Sequence, residues 1–167
     1  MSATEDQFIH SSLREGLIEH LLVGEVMRHL WVQGCRDFEL LRPTTDAAGY
    51  DVVMSAYGQT RHIQLKASGA TATTSKQNIN TALMRHASGC VVWARFDVAT
   101  MTFSGFLWFG GTPSSPLPDL GNVIAKRTTP KTDGTKPNRP NIRSVPKGRF
   151  EQLNSIADLT FKLFGVI

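Results

Sequence analysis

The sequence feature that most constrains the fold is a hairpin pattern between residues 49 and 68. Two short apolar runs, residues 52–54 and the alternating residues 62–65, flank a turn signal around Gly58. Apolar runs on both sides of a glycine-containing turn are typical of two antiparallel strands joined by a tight loop. The segment therefore predicts a β-hairpin in the first half of the chain.

Polar side chains interrupt this hairpin at positions where a buried strand would not need them. Asp51 opens the first strand, and Gln64 and Lys66 lie two residues apart in the second. Period-2 alternation places Gln64 and Lys66 on one face, and pairing through the turn brings Asp51 near them. Burying such groups costs free energy unless they pair or hold a ligand. The pattern thus leaves two interpretations: an exposed polar face, or a functional site.

A strong helical pattern precedes the hairpin. Apolar residues recur at intervals of three and four between residues 12 and 33, which predicts an amphipathic helix. On a helical wheel of about 100° per residue, Glu19 and Glu25 both fall within the apolar arc. Each is either the edge of a wide apolar stripe or a carboxylate kept for chemistry.

The remaining patterns predict the other elements of a single α/β domain over residues 1–167, with a mixed central sheet flanked by helices. The core covers about residues 12–110, followed by a basic Pro/Gly-rich segment 111–149. In chain order we expect a strand at 37–42, a helix at 76–86, a central strand at 90–96, a strand at 101–110, a short helix or strand at 121–127, an exposed loop at 128–140 and a C-terminal helix at 150–164.

The positive charge of the chain is concentrated in one segment. Eight lysines and arginines between Lys126 and Arg149 face Asp133 as the sole acid, so this segment carries +7. Since the whole chain carries +4, the rest carries −3. A mildly acidic body with a basic strip favours a polyanionic partner, although a solvated basic loop would have the same composition.

Other features of the sequence are typical of a cytoplasmic protein. The longest apolar runs, such as residues 90–94, are far shorter than the roughly 18 residues of a membrane span. The N-terminal residues lack the basic start and apolar core of a signal peptide. Cys35 and Cys90 are widely separated, without metal-ligand spacing, and we expect reduced thiols.

The order of elements and motifs resembles the PD-(D/E)XK nucleases, the restriction-endonuclease-like superfamily. That family has an αβββαβ core, with an acidic residue on the first helix, an Asp opening the second strand and an acid-X-Lys motif on the third. Gly49-Tyr50-Asp51 and Gln64-Leu65-Lys66 match the last two positions, 13 residues apart. The motifs cover residues 12–68, and the topology extends the resemblance to about 110. Gln64 departs from the usual acid, but Gln-X-Lys is familiar in Mrr-like restriction enzymes.

The resemblance implies a metal-dependent endodeoxyribonuclease that hydrolyses phosphodiester bonds with Mg²⁺ or Mn²⁺. Asp51 would anchor the metal, with the side-chain oxygen of Gln64 and the backbone carbonyl of Leu65 as further ligands. Lys66 would orient or deprotonate the attacking water. Glu25 or Glu19 would contribute from the helix, and Glu25 is favoured because it lies 26 residues before Asp51, as in compact members.

Two alternatives to an active nuclease differ in their support from the sequence. Glutamine in place of an acid removes one negative charge, so the alternative is a catalytically inactive nuclease-fold module that only binds DNA. A small-molecule enzyme on another αβ fold lacks a supporting motif, since the chain has neither a Gly-rich phosphate loop nor a nucleophile elbow.

The expected partner is DNA, with RNA left open, and a homodimer would allow both strands to be cut in one encounter. Phosphate contacts give affinity without sequence choice. Two residues open the segment at 76–86, and the others form the basic strip; the candidate nucleic-acid-binding residues are Lys76, Asn78, Lys126, Arg127, Lys131, Lys136, Arg139, Arg143, Lys147 and Arg149.

Overall fold

The computed structural model describes residues 10–165 of the chain. Two helices and nine strands follow one another as α1 (Ser11–Val32), β1 (Phe38–Leu41), β2 (Val52–Ala56), β3 (Gln59–Gly69), β4 (Lys76–Asn80), β5 (Gly89–Phe96), β6 (Phe103–Gly110), β7 (Ile124–Lys126), β8 (Asn138–Pro146), β9 (Glu151–Leu153) and α2 (Ile156–Phe164). Short 3₁₀ turns occupy Asp46–Ala48, Thr81–Arg85 and Lys147–Arg149. Within these residues, neither helix is long and apolar enough to cross a membrane.

The strands form two sheets. The main sheet has the order β1-β2-β3-β5-β6-β9, in which β3 and β5 are parallel and the other neighbours are antiparallel. The second sheet has the antiparallel order β4-β8-β7. The expected mixed α/β class is thereby confirmed, as is the position of β5 in the interior of the main sheet.

The predicted hairpin is present as β2 and β3. Tyr57 and Gly58 have φ angles of 51° and 72°, and two consecutive positive φ values are typical of the type I′ turns that match strand twist. The register places Val52 opposite Ile63. Beyond Ile63, β3 continues to Gly69 along β5. Residues 64–69 therefore extend past Val52, the first residue of β2, on the edge of β3 that faces β2.

Alternation along β3 separates two hydrophobic cores. Ile63 is buried with α1 and α2 on one face of the main sheet, and Leu65 packs against the same core. On the other face, the buried side chains of Trp93 and Val91 meet Ile79 of the second sheet. Gln64 and Lys66 pair with Val91 and Trp93 in the parallel register and therefore lie on this second face.

The helix expected at residues 76–86 is wrong. Residues Lys76–Asn80 form β4, and the 3₁₀ turn Thr81–Arg85 follows with the Asn80 side chain accepting the Ala82 N–H at 2.9 Å. Asn, Ile and Thr are weak helix formers, and the fully buried Ile79 packs between the two sheets. The parallel connection from β3 to β5 therefore runs through a strand of the second sheet, where the resemblance implied a helix.

Two expectations for the C-terminal third also need correction. The loop expected at residues 128–140 ends at Pro137, because Asn138 begins β8 and pairs with Lys126 of β7. The helix expected at 150–164 begins only at Ile156, after β9 has joined the main sheet. Ser155 and Asp158 form a capping box that sets this start.

A buried arginine ties the end of α2 to the hairpin. Arg61 of β3 is fully buried and donates to the carbonyl oxygens of Leu163 (2.7 Å), Lys162 (2.9 Å) and Gly111 (2.9 Å). The last carbonyls of a helix lack intrahelical donors and carry partial negative charge. The guanidinium satisfies two of these carbonyls, those of Leu163 and Lys162, while burial lowers the pKa of Arg61.

We expect Arg61→Ala to lower the free energy of unfolding by about 3 kcal/mol or more, because several buried carbonyls lose their donor. Urea unfolding followed by circular dichroism measures this. Arg61→Lys, which keeps the charge but not the fork of donors, should lose less. Arg85→Ala is the control, since Arg85 is exposed and such changes stay within about 0.5 kcal/mol. Equal midpoints for Arg61→Ala and Arg85→Ala would contradict the role of Arg61.

Candidate active site

A groove of ≈ 840 Å³ opens where β3 extends past Val52, the first residue of β2. Its volume is in the range of ligand sites. Helix α1 forms one wall, and β4 with the preceding residues 73–75 forms the other. The polar side chains that line it are Glu15, Glu19, Asp51, Lys66, Thr73, Thr74, Ser75, Lys76, Gln77, Asn78 and Arg139.

Asp51 is fixed at this groove by the backbone of β3. Its N–H donates to the Ile63 carbonyl at 2.9 Å, and its Oδ2 accepts the Leu65 N–H at 2.6 Å. The carboxylate thus continues the hydrogen-bond ladder beyond Val52, the first residue of β2. In antiparallel pairing the N–H and C=O of one residue face the same edge, so the Leu65 carbonyl also faces the groove.

The Gly49-Tyr50 pair explains how the chain reaches Asp51. Gly49 has φ +80°, and a Cβ there would lie 2.7 Å from the Leu83 backbone nitrogen. Tyr50 packs edge-on against the rings of His62 and His86, at centroid distances of 4.9 and 5.0 Å. Close approach to the 3₁₀ turn therefore requires glycine at position 49.

Lys66 is one of the cations that line the groove, together with Lys76 and Arg139. Burial lowers its pKa, whereas the negative charges of Asp51 and Glu15 act in the opposite direction and the positive charge of Arg139 adds to the lowering. The half-buried ammonium is thus within electrostatic reach of two carboxylates and a guanidinium. A lowered lysine pKa increases the neutral fraction that can accept a proton.

The structure brings Glu19 to the groove, together with Glu15, which the sequence interpretation did not select as a site residue. Glu19 forms an ion pair with Arg42, whereas the negative charge of Glu15 acts to raise the pKa of Lys66. The signal for Glu15 was present: residues four apart lie on one face of a helix, so any groove that contains Glu19 can also contain Glu15.

Glu25, the favoured glutamate, lies elsewhere. It forms an ion pair with Arg28 at 2.7 Å and lines a different cavity, next to Thr100 and Phe103. Six residues of straight helix move a side chain about 9 Å along the axis and about 240° around it. Spacing along the chain did not include this rotation, and therefore could not choose between Glu19 and Glu25.

Gln64 is buried beside the groove and does not line it. Its Oε1 accepts the backbone N–H of Asn80 at 3.4 Å, so the amide contacts the junction of β4 and the 3₁₀ turn. Of the three polar hairpin residues, Asp51 and Lys66 enter the groove and Gln64 supports its wall.

The donor atoms of the groove suit a hard cation. Within residues 10–165, no cluster of three or more His, Cys, Asp or Glu side chains could hold a metal ion by itself. Mg²⁺, however, commonly takes one or two carboxylates and completes its shell with water and substrate phosphate. Asp51, a glutamate of α1 and the Leu65 carbonyl supply oxygen atoms of this kind.

The candidate nucleic-acid-binding residues fall into three groups. Lys76, Asn78 and Arg139 line the groove, and Asn78 and Arg139 also line an adjoining cavity of ≈ 550 Å³ with Lys126, Arg127 and Lys131. Lys136 and Lys147 are exposed outside both. The third group has intramolecular contacts: Arg143 donates to the Pro140 carbonyl at 2.6 Å, and Arg149 donates to the Asp119 carbonyl and lies over the Phe109 ring.

Comparisons with known proteins give little further information. No protein-family model matches the sequence, and no curated protein matches it. A solved structure of the bacterial homing endonuclease I-Ssp6803I matches 70% of this chain and 82% of its own, at 15% identity and a TM-score of 0.30. At this level the similarity carries no argument about the function of the protein.

The surroundings of His62 predict a stability that depends on pH. Its ring stacks on His86 with centroids 4.3 Å apart, and its Nδ1 lies 2.9 Å from the Ser88 hydroxyl. Burial and then the charge of His86 lower the pKa of His62. In the unfolded chain the pKa of a histidine is about 6.5. Between this value and the lower pKa of His62 in the folded protein, the unfolded chain binds more protons than the folded one. The free energy of unfolding therefore falls as the pH falls below about 7.

We expect His62→Gln to reduce this loss of stability. Urea unfolding at pH 7.5, 6.5 and 5.5 should give a shallower decline for the variant than for the unmodified protein. The amide keeps a hydrogen-bonding group for Ser88 and does not titrate. An identical slope for the two proteins would mean that His62 takes up its proton equally in the folded and unfolded states.

Proposed function

We propose that this protein is a metal-dependent nuclease of the PD-(D/E)XK type that hydrolyses DNA phosphodiester bonds in the groove beside β3. The observation that carries the proposal is the convergence of Asp51, Lys66 and the α1 glutamates Glu15 and Glu19 on one groove. The basic surface of Lys76 and Arg139 on the opposite wall supports it.

Asp51, the Leu65 carbonyl and one α1 glutamate would hold Mg²⁺ or Mn²⁺. When bound, such an ion polarises the phosphate and lowers the pKa of water. Lys66 orients the attacking water and takes up its proton, or offsets phosphate charge while protonated. The Leu65 N–H keeps the Asp51 carboxylate in place, and Arg42 does the same for Glu19.

The second candidate is a nuclease-fold module that binds DNA without cutting it. The position of Gln64 favours it, since an amide replaces the family's acid and its oxygen contacts the Asn80 N–H. Such a module would bind DNA equally well with and without a divalent cation. Cleavage assays separate the two candidates directly.

We expect Asp51→Asn and Lys66→Met each to reduce Mg²⁺-dependent cleavage of plasmid and linear DNA by about 100-fold or more, the usual scale for loss of a general base or metal ligand. The assay follows product formation with Mg²⁺, Mn²⁺ and EDTA in parallel. Circular dichroism checks that both variants fold.

Two substitutions on the same helix provide a matched control. Glu19→Gln should slow cleavage at least tenfold, whereas Glu25→Gln should stay within twofold of the unmodified protein, because Glu25 lies outside the groove. The reverse order would place the site elsewhere on α1. Unmodified protein that cuts neither DNA nor RNA with either metal would rule out the nuclease and leave the binding module.

A further inference from the structure

The most highly charged exposed feature of the described chain is the far end of the β7–β8 hairpin. We call residues 124–140 the basic ribbon. Every residue from 126 to 136 is exposed. The cations along it are Lys126, Arg127, Lys131, Lys136 and Arg139, and Asp133 is the one acid.

The ribbon is ordered by its own hydrogen bonds. The Arg127 N–H donates to the Pro137 carbonyl at 2.9 Å, and the Lys131 N–H donates to the Thr135 carbonyl at 2.8 Å. The Asp133 carboxylate accepts from the N–H and hydroxyl of Thr135, at 2.9 and 2.6 Å. The single acid of the ribbon is thus engaged locally in the turn, and the cations extend from a structured backbone.

The root of the ribbon is anchored and its end is not. Ala125 is buried, as is Val145 further along β8, so the second sheet fixes where the hairpin leaves the body. Residues 126–136 are all exposed, and none of them belongs to either hydrophobic core. A projecting hairpin of this kind offers a polar, positively charged surface to a partner.

The ribbon is continuous with the candidate active site. Asn78 and Arg139 line both the groove and the cavity beside Lys126, Arg127 and Lys131. The charge of Arg139 also acts on Lys66. The cavity that joins the ribbon to the groove is lined by four cations and by no acidic residue.

We propose that the basic ribbon is an arm that docks into the major groove of double-stranded DNA and so makes duplex DNA the substrate class of the groove. Binding by the arm is inferred from the ribbon itself; its link to cleavage rests on the proposed function. Lys126, Arg127 and Lys131 contact phosphates, and Arg139 sits where the duplex enters the groove.

The shape and composition of the ribbon favour this partner over other nucleic acids. Strands β7 and β8 pair only as far as Lys126 and Asn138, and the two backbone hydrogen bonds beyond them keep the chain segments of the loop side by side. The major groove of B-DNA, about 12 Å wide, admits a two-stranded element, whereas the deep and narrow major groove of A-form RNA does not admit side chains. Single strands are typically held by stacking on aromatic side chains. Residues 124–140 contain no aromatic residue.

The test is equilibrium binding in EDTA, which prevents metal-dependent cutting. Fluorescence anisotropy compares a labelled 20-base-pair DNA duplex, its single strand and the matching RNA duplex at several salt concentrations. The ribbon variant is Arg127→Ala with Lys131→Ala. Its control is Arg28→Ala with Arg85→Ala, which also removes two positive charges, from exposed positions outside the ribbon and both cavities that are not among the candidate nucleic-acid-binding residues.

We expect the unmodified protein to prefer duplex DNA. The ribbon variant should bind it about tenfold more weakly at 0.1 M salt, with the slope of log K against log salt reduced by about 2; the control should change much less in both. Equal weakening of the two variants, or equal or tighter binding of single strand or RNA duplex, would overturn the inference.

The outcomes also separate this inference from the proposed function. Ribbon-dependent duplex binding by a protein that never cuts would support the arm and reject the nuclease. Conversely, a ribbon variant that binds and cuts duplex DNA as well as the unmodified protein would reject the arm and leave the nuclease standing. Asp51→Asn should bind the duplex with unchanged ribbon dependence.

Discussion

The register of β3 is the constraint on which the rest of the structure depends. One face of this strand lies under the helices and the other faces the second sheet. A shift of one residue would turn Lys66 into the helix-side core and expel Ile63. The turn at Tyr57-Gly58 sets the register from one end. Arg61, bonded to the last turn of α2, sets it from within the core.

The unequal lengths of β2 and β3 turn that register into a site. An open edge of a sheet leaves backbone N–H and C=O groups without a partner strand. Here the first of those N–H groups, on Leu65, is taken by the Asp51 carboxylate. This hydrogen bond therefore closes the open end of the hairpin and fixes the Asp51 carboxylate. Lys66, the next residue along β3, then lies in the same groove between α1 and β4.

Local patterns were predictable from the sequence, and long-range pairings were not. The hairpin, α1 and β5 follow from periodicity within each segment. Lys76–Asn80 form a strand because they pair with β8, more than 60 residues away in the sequence. This pairing outweighs any local helical pattern. The same limit applies to the site. Alternation correctly placed Gln64 and Lys66 on one face of β3, but the direction of the Gln64 amide depends on its contact with Asn80. Which glutamate of α1 reaches the groove depends on how the helix is rotated about its axis.

Glu15 supplies negative charge near Lys66 that Gln64, as a neutral amide, does not. Gln64 is a neutral amide two residues before Lys66, at a position where an acid would add a negative charge. Negative charge near Lys66 comes from Glu15 of α1 and from Asp51 just before β2, both of which act to raise the pKa of Lys66, while Arg42 pairs with Glu19. Coulomb attraction depends on distance and dielectric, not on which element bears the carboxylate. A cation in the groove would therefore meet carboxylates from α1 and from the start of β2, while the Gln64 amide accepts the Asn80 N–H at the end of β4.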